Sequence, residues 1–550
     1  MASETLLDQA ALCLAKGELW RAEFLYRQVI QDEPLRAGAH AALAAIFIQR
    51  GQTQEAVEAL ERALRLEPDD AWALFHYGNL LHALQRPLEA LESYSHALQV
   101  RPDFLDALNN RAVVLCALDR FEDALTGLDR VLALDPANVL AHHNRGIALA
   151  GLERFDEAVT AYDAVLARVP GHAECWNNRA GALAKLRRFS EAVESYDKLL
   201  SLNLRSADVL YNRGVALTEL KRIEEALQSY KGCVALAPND AKAAYNLSLC
   251  LLQLGRLEEG FRLYESRKQL PNPVGVHQHP KPVWSGGQDI SGKTLLVCAE
   301  QGAGDIMQFS RYVRLLQDRG AKVILAVPGK LIRLLKGLAV EIVSADGPAP
   351  DFDFHVSLMS LPLLFRTSLE NIPAFIPYLA AEPELVGKWK DRVGDAGFKI
   401  GIVWQSSASG AAIGKSFPLR QYAGLAKIPG VRLISLQPHD EAGPVNAFPV
   451  EQLGPEFDGG ADAFIDSAAV MQSLDLIITS DTGIAHLAGA LGRPAWLALK
   501  YVPDWRWLLD RPDTPWYPAM RLFRQPAPED WDSVFDQMQT ELAVLAAKQG

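Results

Sequence analysis

No CxxC pair and no histidine at zinc-ligand spacing occurs among the six cysteines of this 550-residue chain, which stand singly at Cys13, Cys116, Cys175, Cys233, Cys250 and Cys298. That scatter excludes a disulfide framework or zinc motif and reads as reduced core thiols. His277 and His279 form an HxH in a Pro-rich stretch without further ligands nearby, a solvated linker more than a metal site. Basic residues do not exceed acidic ones: the formal net charge is -12, which argues against a nucleic-acid partner. No apolar run approaches the roughly 20 residues that span a bilayer. The opening MASETLLDQAAL lacks a basic region before an apolar stretch, so the expected location is cytoplasmic, with no transmembrane segment. The length calls for two or three folding units.

What is present is a period. Pro34, Pro68, Pro102, Pro136 and Pro170 stand 34 residues apart, and Pro238 follows at twice that interval with Leu204 between. Small residues keep the same register, Gly78, Ala112, Gly146, Ala180 and Gly214 in a first helix and Ala63, Ala97 and Ala235 in a second. The segment AHHNRGIALAGLERFDEAVTAYDAVLARVP reads as helix, turn, helix and proline stop. It resembles the tetratricopeptide repeat, and the resemblance covers residues 3 to about 270 as eight units. An α-solenoid is therefore expected over 1–270, because one unit cannot bury its apolar face alone.

Asn110, Asn144, Asn178, Asn212 and Asn246 recur midway along the first helices. A column of side-chain amides can pair with the peptide groups of an extended chain without reading its side chains, which makes these the candidate acceptor-binding residues. A similar ladder occurs in the repeats of the eukaryotic protein O-GlcNAc transferases. The alternative is that the amides bond within the stack. Arg111, Arg145, Arg179 and Arg213 form a second column, either packing stems with solvated heads or anchors for an acidic acceptor.

Helical periodicity ends near Leu270, and residues 271–291, rich in Pro and Gly, read as a linker. TLLVCAEQG, DIMQFSRYVRLLQDRG and AKVILAVP then alternate as strand, helix and strand, opening a Rossmann-like lobe over 292–385 that continues through LIRLLKGL, VEIVSA and FHVSL. A second series over 386–550 runs through FKIGIVWQSS, a helix in LRQYAGLAKI, VRLISLQ and SLDLIITSDTGIAHLAGALGRPAWLAL, and EDWDSVFDQMQTELAVLAAK closes the chain as an amphipathic helix. Ligands in such α/β sheets lie beyond the carboxyl ends of the strands, so the loops 302–305, 405–416 and 480–482 should converge on one cleft.

GAGDIMQF and SDTGIAHLAGALGRP are similar to the two signature loops of the lipopolysaccharide heptosyltransferases. Bacterial proteins that join tetratricopeptide repeats to a heptosyltransferase-like domain resemble the chain more closely still, sharing EQGxGDxxQFxRY, PDWRW and PWYPxxRLFRQ over essentially its whole length. The resemblance implies a GT-B fold of two Rossmann-like lobes, a nucleotide-diphosphate sugar as donor substrate, no cofactor or metal, and inversion at the anomeric carbon. It implies Asp305 as general base, with a helix N-cap as the plain alternative. It sets Thr482 and Gly483 on the donor phosphates, Asp481 on the sugar hydroxyls and Lys415 against the diphosphate. Gly302, Gly304, Gln405 and Ser416 line the same loops on the donor side. His486 is either a donor contact or a core histidine. Trp505 and Arg506, after Asp504 in the PDWRW turn, fall on the acceptor side unless the tryptophans there are packing. The loop SSASGAAIG departs from its relatives by lacking the charged residues many of them carry.

Three functions follow as expectations. The first is an inverting glycosyltransferase acting on a protein or peptide held by the repeats. The second keeps the chemistry but takes a glycan or lipid-linked saccharide, with the repeats recruiting partners. The third is a non-catalytic repeat scaffold.

Overall fold

The computed structural model describes residues 2–271, 279–406, 414–437 and 448–548. Sixteen helices precede a region of parallel sheets. The chain folds as two compact units, Met1–Arg205 and Ser206–Gly550. The division falls ahead of residue 270 because the last two repeat helices pack on the α/β region, Leu252, Leu257, Phe261 and Tyr264 sharing its core, and the two helices before them pack on these.

The first unit consists of α1 (Ala2–Ala15) through α12 (Phe189–Ser201), paired as first and second helices of successive repeats. Each pair turns through one left-handed residue at the same repeat position: Gly17, Gly51, Gln85, Asp119, Glu153 and Arg187. Only two of the six are glycine, so the stack imposes this conformation on side chains that disfavour it. Interlock between the paired helices explains the small residues. A Cβ at Gly78, on α5 (Ala71–Ala83), would lie 2.7 Å from the ring of Tyr94 on α6 (Pro87–Val100). Gly146 on α9 (Val139–Gly151) meets Tyr162 of α10 (Phe155–Leu166) in the same way; at these positions the repeat before it carries Ala112 and Leu128, and the repeat after it Ala180 and Tyr196, all buried. Gly146→Ala is therefore expected to destabilise the protein by about 1 kcal/mol, because overpacking against Tyr162 is offset by alanine's better helix propensity and the next repeat already fits Ala180 at the same register as Tyr196. Gly146→Ala combined with Tyr162→Leu should recover most of the loss, because it recreates the neighbouring repeat's pair. Thermal melts of both variants check this, and a double variant no better than the single one would refute the interlock.

The second unit opens with α13 (Ala207–Glu219), α14 (Ile223–Leu236), α15 (Ala241–Gln253) and α16 (Leu257–Tyr264), followed by a 3-10 turn over Glu265–Gln269. Residues 279–291, expected as a connector, belong to the first α/β lobe instead. Val283 bridges to His355, and Trp284 and Ile290 are buried. His279 packs against Phe352 and His355 with Nε2 3.5 Å from Cys298 Sγ, while His277 lies outside the described residues.

The first sheet contains β1 (Thr294–Cys298), β2 (Lys322–Val327), β3 (Glu341–Ser344) and β4 (Phe354–Ser357), all parallel, in the order β3-β2-β1-β4. The second contains β5 (Phe398–Ile402), β6 (Val431–Ser435), β7 (Leu476–Ser480), β8 (Ala495–Leu499) and β9 (Met520–Arg524), also parallel, in the order β6-β5-β7-β8-β9. In each sheet the order reverses beside its first strand, at β1/β4 and at β5/β7, which is where α/β sheets leave a crevice. Three expected helices differ. LIRLLKGL keeps only one α-turn, Ile332–Leu335, between 3-10 turns. DIMQFSRYVRLLQDRG is α17 (Ala303–Phe309) and α18 (Val313–Asp318) with a 3-10 turn between them. LRQYAGLAKI is two short 3-10 turns, with Gly424 between them sitting against Gln539 of the closing helix α24 (Trp531–Ala547).

Candidate functional site

Four strand-to-helix loops supply the site, those after β1, β5, β7 and β8. The turn after β1 runs through Gly302 into α17, where Asp305 is the third residue, and its carboxylate accepts from the Gly302 N–H at 2.9 Å. Asp305 is therefore not the N-cap, which is Gly302, but the third helical residue bonding back to it, and its other oxygen faces Arg506 from the loop after β8. Arg506 is 6% exposed and fully engaged: Nε donates to Gln308 Oε1 at 2.7 Å, Nη1 to Asp504 at 2.8 Å and Nη2 to Asp305. Its guanidinium lies 4.3 Å from the ring centroid of Trp505. Burial pushes the Asp305 carboxyl above the ordinary range, against the pull of Arg506 and the Gly302 N–H. Burial acts the same way on Asp504, but Arg506 and Lys415 outweigh it and hold that carboxyl low.

From the loops after β5 and β7, Lys415 Nζ meets Asp481 Oδ2 at 2.6 Å. Burial alone would lower the ammonium's pKa, but Asp481 and Asp504 raise it above the ordinary lysine range. Gln405 and Ser416 flank this pair and are exposed, with the Ser416 hydroxyl accepting from the Ser406 N–H at 3.0 Å. Residues 407–413, most of the SSASGAAIG loop, lie outside the described residues. Thr482 is the N-cap of α23 (Gly483–Ala490), and its hydroxyl is 3.1 Å from that of Thr479. A Cβ at Gly304 would lie 2.6 Å from His486 Cδ2, so the glycine is what lets α17 and α23 close on each other. A Cβ at Gly483 would press on Phe464 at 3.1 Å. The Ser480 hydroxyl, Gln308 Nε2 and Trp507 Nε1 are buried without a hydrogen-bond partner among the described residues. Unpaired polar atoms of this kind carry a desolvation cost, and periodicity offered no signal for them.

His486 and Trp505, each read from the sequence as a ligand contact or as packing, are both buried. His486 is 5% exposed, with Nδ1 3.0 Å from the Tyr517 hydroxyl and its ring stacked on Trp507 at 5.4 Å. Trp505 is buried against Phe261, Tyr264 and Trp516, so it does not face an acceptor. Burial, with Arg506 nearby, pushes the His486 pKa well below its ordinary value. A histidine kept neutral on folding costs stability once the unfolded chain takes up the proton, which begins near about pH 6.5. Stability should therefore fall with acidification, by about 1.4 kcal/mol at one unit below that value from this residue alone. His486→Asn should flatten the dependence of stability between pH 7 and 5 by one proton relative to the parent, and parallel curves for the two proteins would refute the assignment.

Among the repeats, the Asn110 amide donates to Asn79 at 2.8 Å, and Asn178 Nδ2 is 3.5 Å from His143 Nε2. Asn144 is half-buried. In the second unit the Asn246 amide donates to the Tyr211 hydroxyl at 3.2 Å, and Asn212 is exposed. Part of the ladder's donor capacity is thus spent within the stack. The arginine column is largely internal too. Arg111 reaches Ser95, Arg145 reaches Asp129, Arg179 reaches Asp163 and Ser195, and Arg213 reaches Ser229. Each guanidinium staples a first helix to a second helix.

Residues 78–139, 143–202 and 177–241 match the tetratricopeptide repeat family, and residues 44–85 match a further TPR repeat description. The N-terminal half therefore carries tetratricopeptide repeats, a fold that typically binds peptides or proteins. Protein FlbA of Caulobacter vibrioides is 30% identical over 301 residues, 49% of this chain and 49% of FlbA, so the chain matches about half the length of that curated relative. Among solved structures, a tetratricopeptide repeat protein from Parabacteroides merdae is 21% identical, with 45% of this chain and 98% of that one covered and a TM-score of 0.34. YrrB, described as a TPR protein with an unusual peptide-binding site, is 23% identical, with coverage of 38% and 97% and a TM-score of 0.30. No helix among the described residues is long and apolar enough to cross a membrane.

Proposed function

We propose that the chain is an inverting glycosyltransferase of the GT-B kind, which moves a sugar from a nucleotide-diphosphate donor to a protein or peptide held by the repeats. One observation carries the reading: a carboxylate from one parallel sheet, Asp305, and a lysine from the other, Lys415, belong to one charged cluster beyond the carboxyl ends of the strands, linked through Arg506, Asp504 and Asp481. Transfer needs a base for the acceptor hydroxyl and a cation for the departing diphosphate. Asp305 takes the acceptor proton as the oxygen bonds the anomeric carbon. The bond from that carbon to the diphosphate oxygen breaks on the opposite face. Lys415 and the N-terminus of α23 offset the charge that leaves. A donor phosphate competes with Asp481 for Lys415, which frees the Asp481 carboxylate for sugar hydroxyls. Arg506 keeps Asp504 as a partner when Asp305 turns to the acceptor.

A non-catalytic scaffold is the second reading. It is favoured by Asp305 and Lys415 both being partnered within the chain, and by the uncharged loop ahead of Lys415. Thermal melts against UDP, GDP, ADP, dTDP, CMP and their common sugar conjugates separate the two, since a ligand at 100 times its Kd adds about 2.7 kcal/mol. One clear stabiliser is the expected result. A folded protein that none of them stabilises would leave the scaffold reading standing.

A further inference from the structure

Glu300 and Gln301 lie between β1 and the turn that carries Asp305, and both are held from the last repeat. Tyr264, the final residue of α16, is 2% exposed, and its hydroxyl pairs with the Gln301 side-chain amide in both directions at 3.2 and 3.0 Å. Arg267, in the turn that follows, is 5% exposed and grips the Glu300 carboxylate with two nitrogens at 3.1 and 2.7 Å. A third nitrogen bonds Glu265 at 2.6 Å, and the Ser360 hydroxyl ties Glu265 to the first lobe at 2.8 Å. Gln301 itself has φ +65°, a left-handed conformation that a glutamine does not favour and that its surroundings must impose. The next peptide directs the Gly302 N–H at the Asp305 carboxylate. The same helix also holds the opposite side of the ion pair, because Trp505, one residue before Arg506, packs on Phe261 and Tyr264 with ring centroids 5.6 and 6.2 Å apart.

We propose that Tyr264 and Arg267 of the last repeat are positioning residues for Asp305, Tyr264 holding Gln301 in its strained conformation and Arg267 fixing Glu300 beside it, so that the last repeat forms part of the site. The proposal rests on Asp305 being the base. A buried bidentate arginine–carboxylate pair and a buried tyrosine–amide pair are rigid, directional ties, unlike exposed ion pairs. Small displacements of a reacting group are costly in rate, so a clamp that acts only through the turn should alter turnover more than donor binding.

The test uses the full chain with Tyr264→Phe, which removes one oxygen from the buried pair, and Gln301→Gly, which accepts positive φ without the side-chain tie. Hydrogen exchange of amides 302–306 should quicken about tenfold in both variants while β1 amides keep their protection. Hydrolysis by water of the nucleotide sugar selected in the melts should lose about tenfold in kcat with KM unchanged. Gln301→Glu, which keeps an acceptor for the Tyr264 hydroxyl, should keep the protection of 302–306 closer to the parent's than Gln301→Gly does, while its added charge near Asp305 excludes it from the turnover comparison. Unchanged protection of 302–306 in folded Tyr264→Phe and Gln301→Gly overturns the clamp, as does faster exchange with undiminished turnover. If the parent neither binds nor hydrolyses any nucleotide sugar, the glycosyltransferase reading fails, and with it Asp305 as the base, while exchange still decides whether the last repeat holds the turn.

Discussion

Arg506→Met is expected to destabilise the protein by about 3 kcal/mol at neutral pH, the scale at which removing one partner strands a buried charge. Arg506 is the common partner of Asp305 and Asp504, whose side chains keep only 20% and 27% of their exposure, and it also satisfies Gln308. Methionine leaves two neighbouring carboxylates with no cation between them. Both carboxyl pKa values should then rise. A carboxyl whose folded pKa lies above its unfolded value costs stability above that pKa and none once both states are protonated, so the deficit should shrink as pH falls from 7 toward 4. In the parent, Asp504 is held low, so its contribution is present at neutral pH and is lost on acidification. The two proteins should therefore converge in acid. Urea titrations at several pH values measure this, and a deficit independent of pH would show that lost packing on Trp505, not charge, carries the effect.

Asp305→Asn should lower transfer by about 10²–10⁴-fold, the usual contribution of a positioned general base. The amide can still accept one of the two hydrogen bonds that the carboxylate takes from Gly302 and Arg506, at a cost of about 1 kcal/mol for the other. The fold and the nucleotide-induced rise in melting temperature should therefore persist. Undiminished turnover in the folded variant would remove Asp305 from the mechanism and leave it as the residue that bonds back to the N-cap. Loss of the nucleotide-induced shift together with turnover would instead move Asp305 to the donor's binding surface.

The repeat array was legible because every unit solves the same packing problem locally. Prolines and small residues 34 apart mark where helices stop and where they interlock, and the Gly146–Tyr162 contact follows from that register. The α/β alternation was equally legible, since apolar strands such as β7 and β8, buried at every residue, can exist only with both faces covered. Helix length was less so. LRQYAGLAKI has an apolar pattern consistent with a helix, but Gly424 in its middle weakens one and packs against Gln539 of the closing helix, and the segment forms two 3-10 turns. Residues 279–291 read as a connector because proline and glycine mark irregular backbone, whereas Trp284 shows that irregular backbone can carry core side chains.

Sequence alone determined the period and the two parallel sheets in outline, since each depends on residues near one another in the chain. Only the tertiary structure decided what the meeting residues do. Asp305 and Arg506 are 201 positions apart, and Tyr264 and Gln301 are 37 apart with a change of fold between them. Burial, which makes His486 and Trp505 core residues and gives Arg506 three partners, is a property of the assembled surroundings, and no local pattern encodes it.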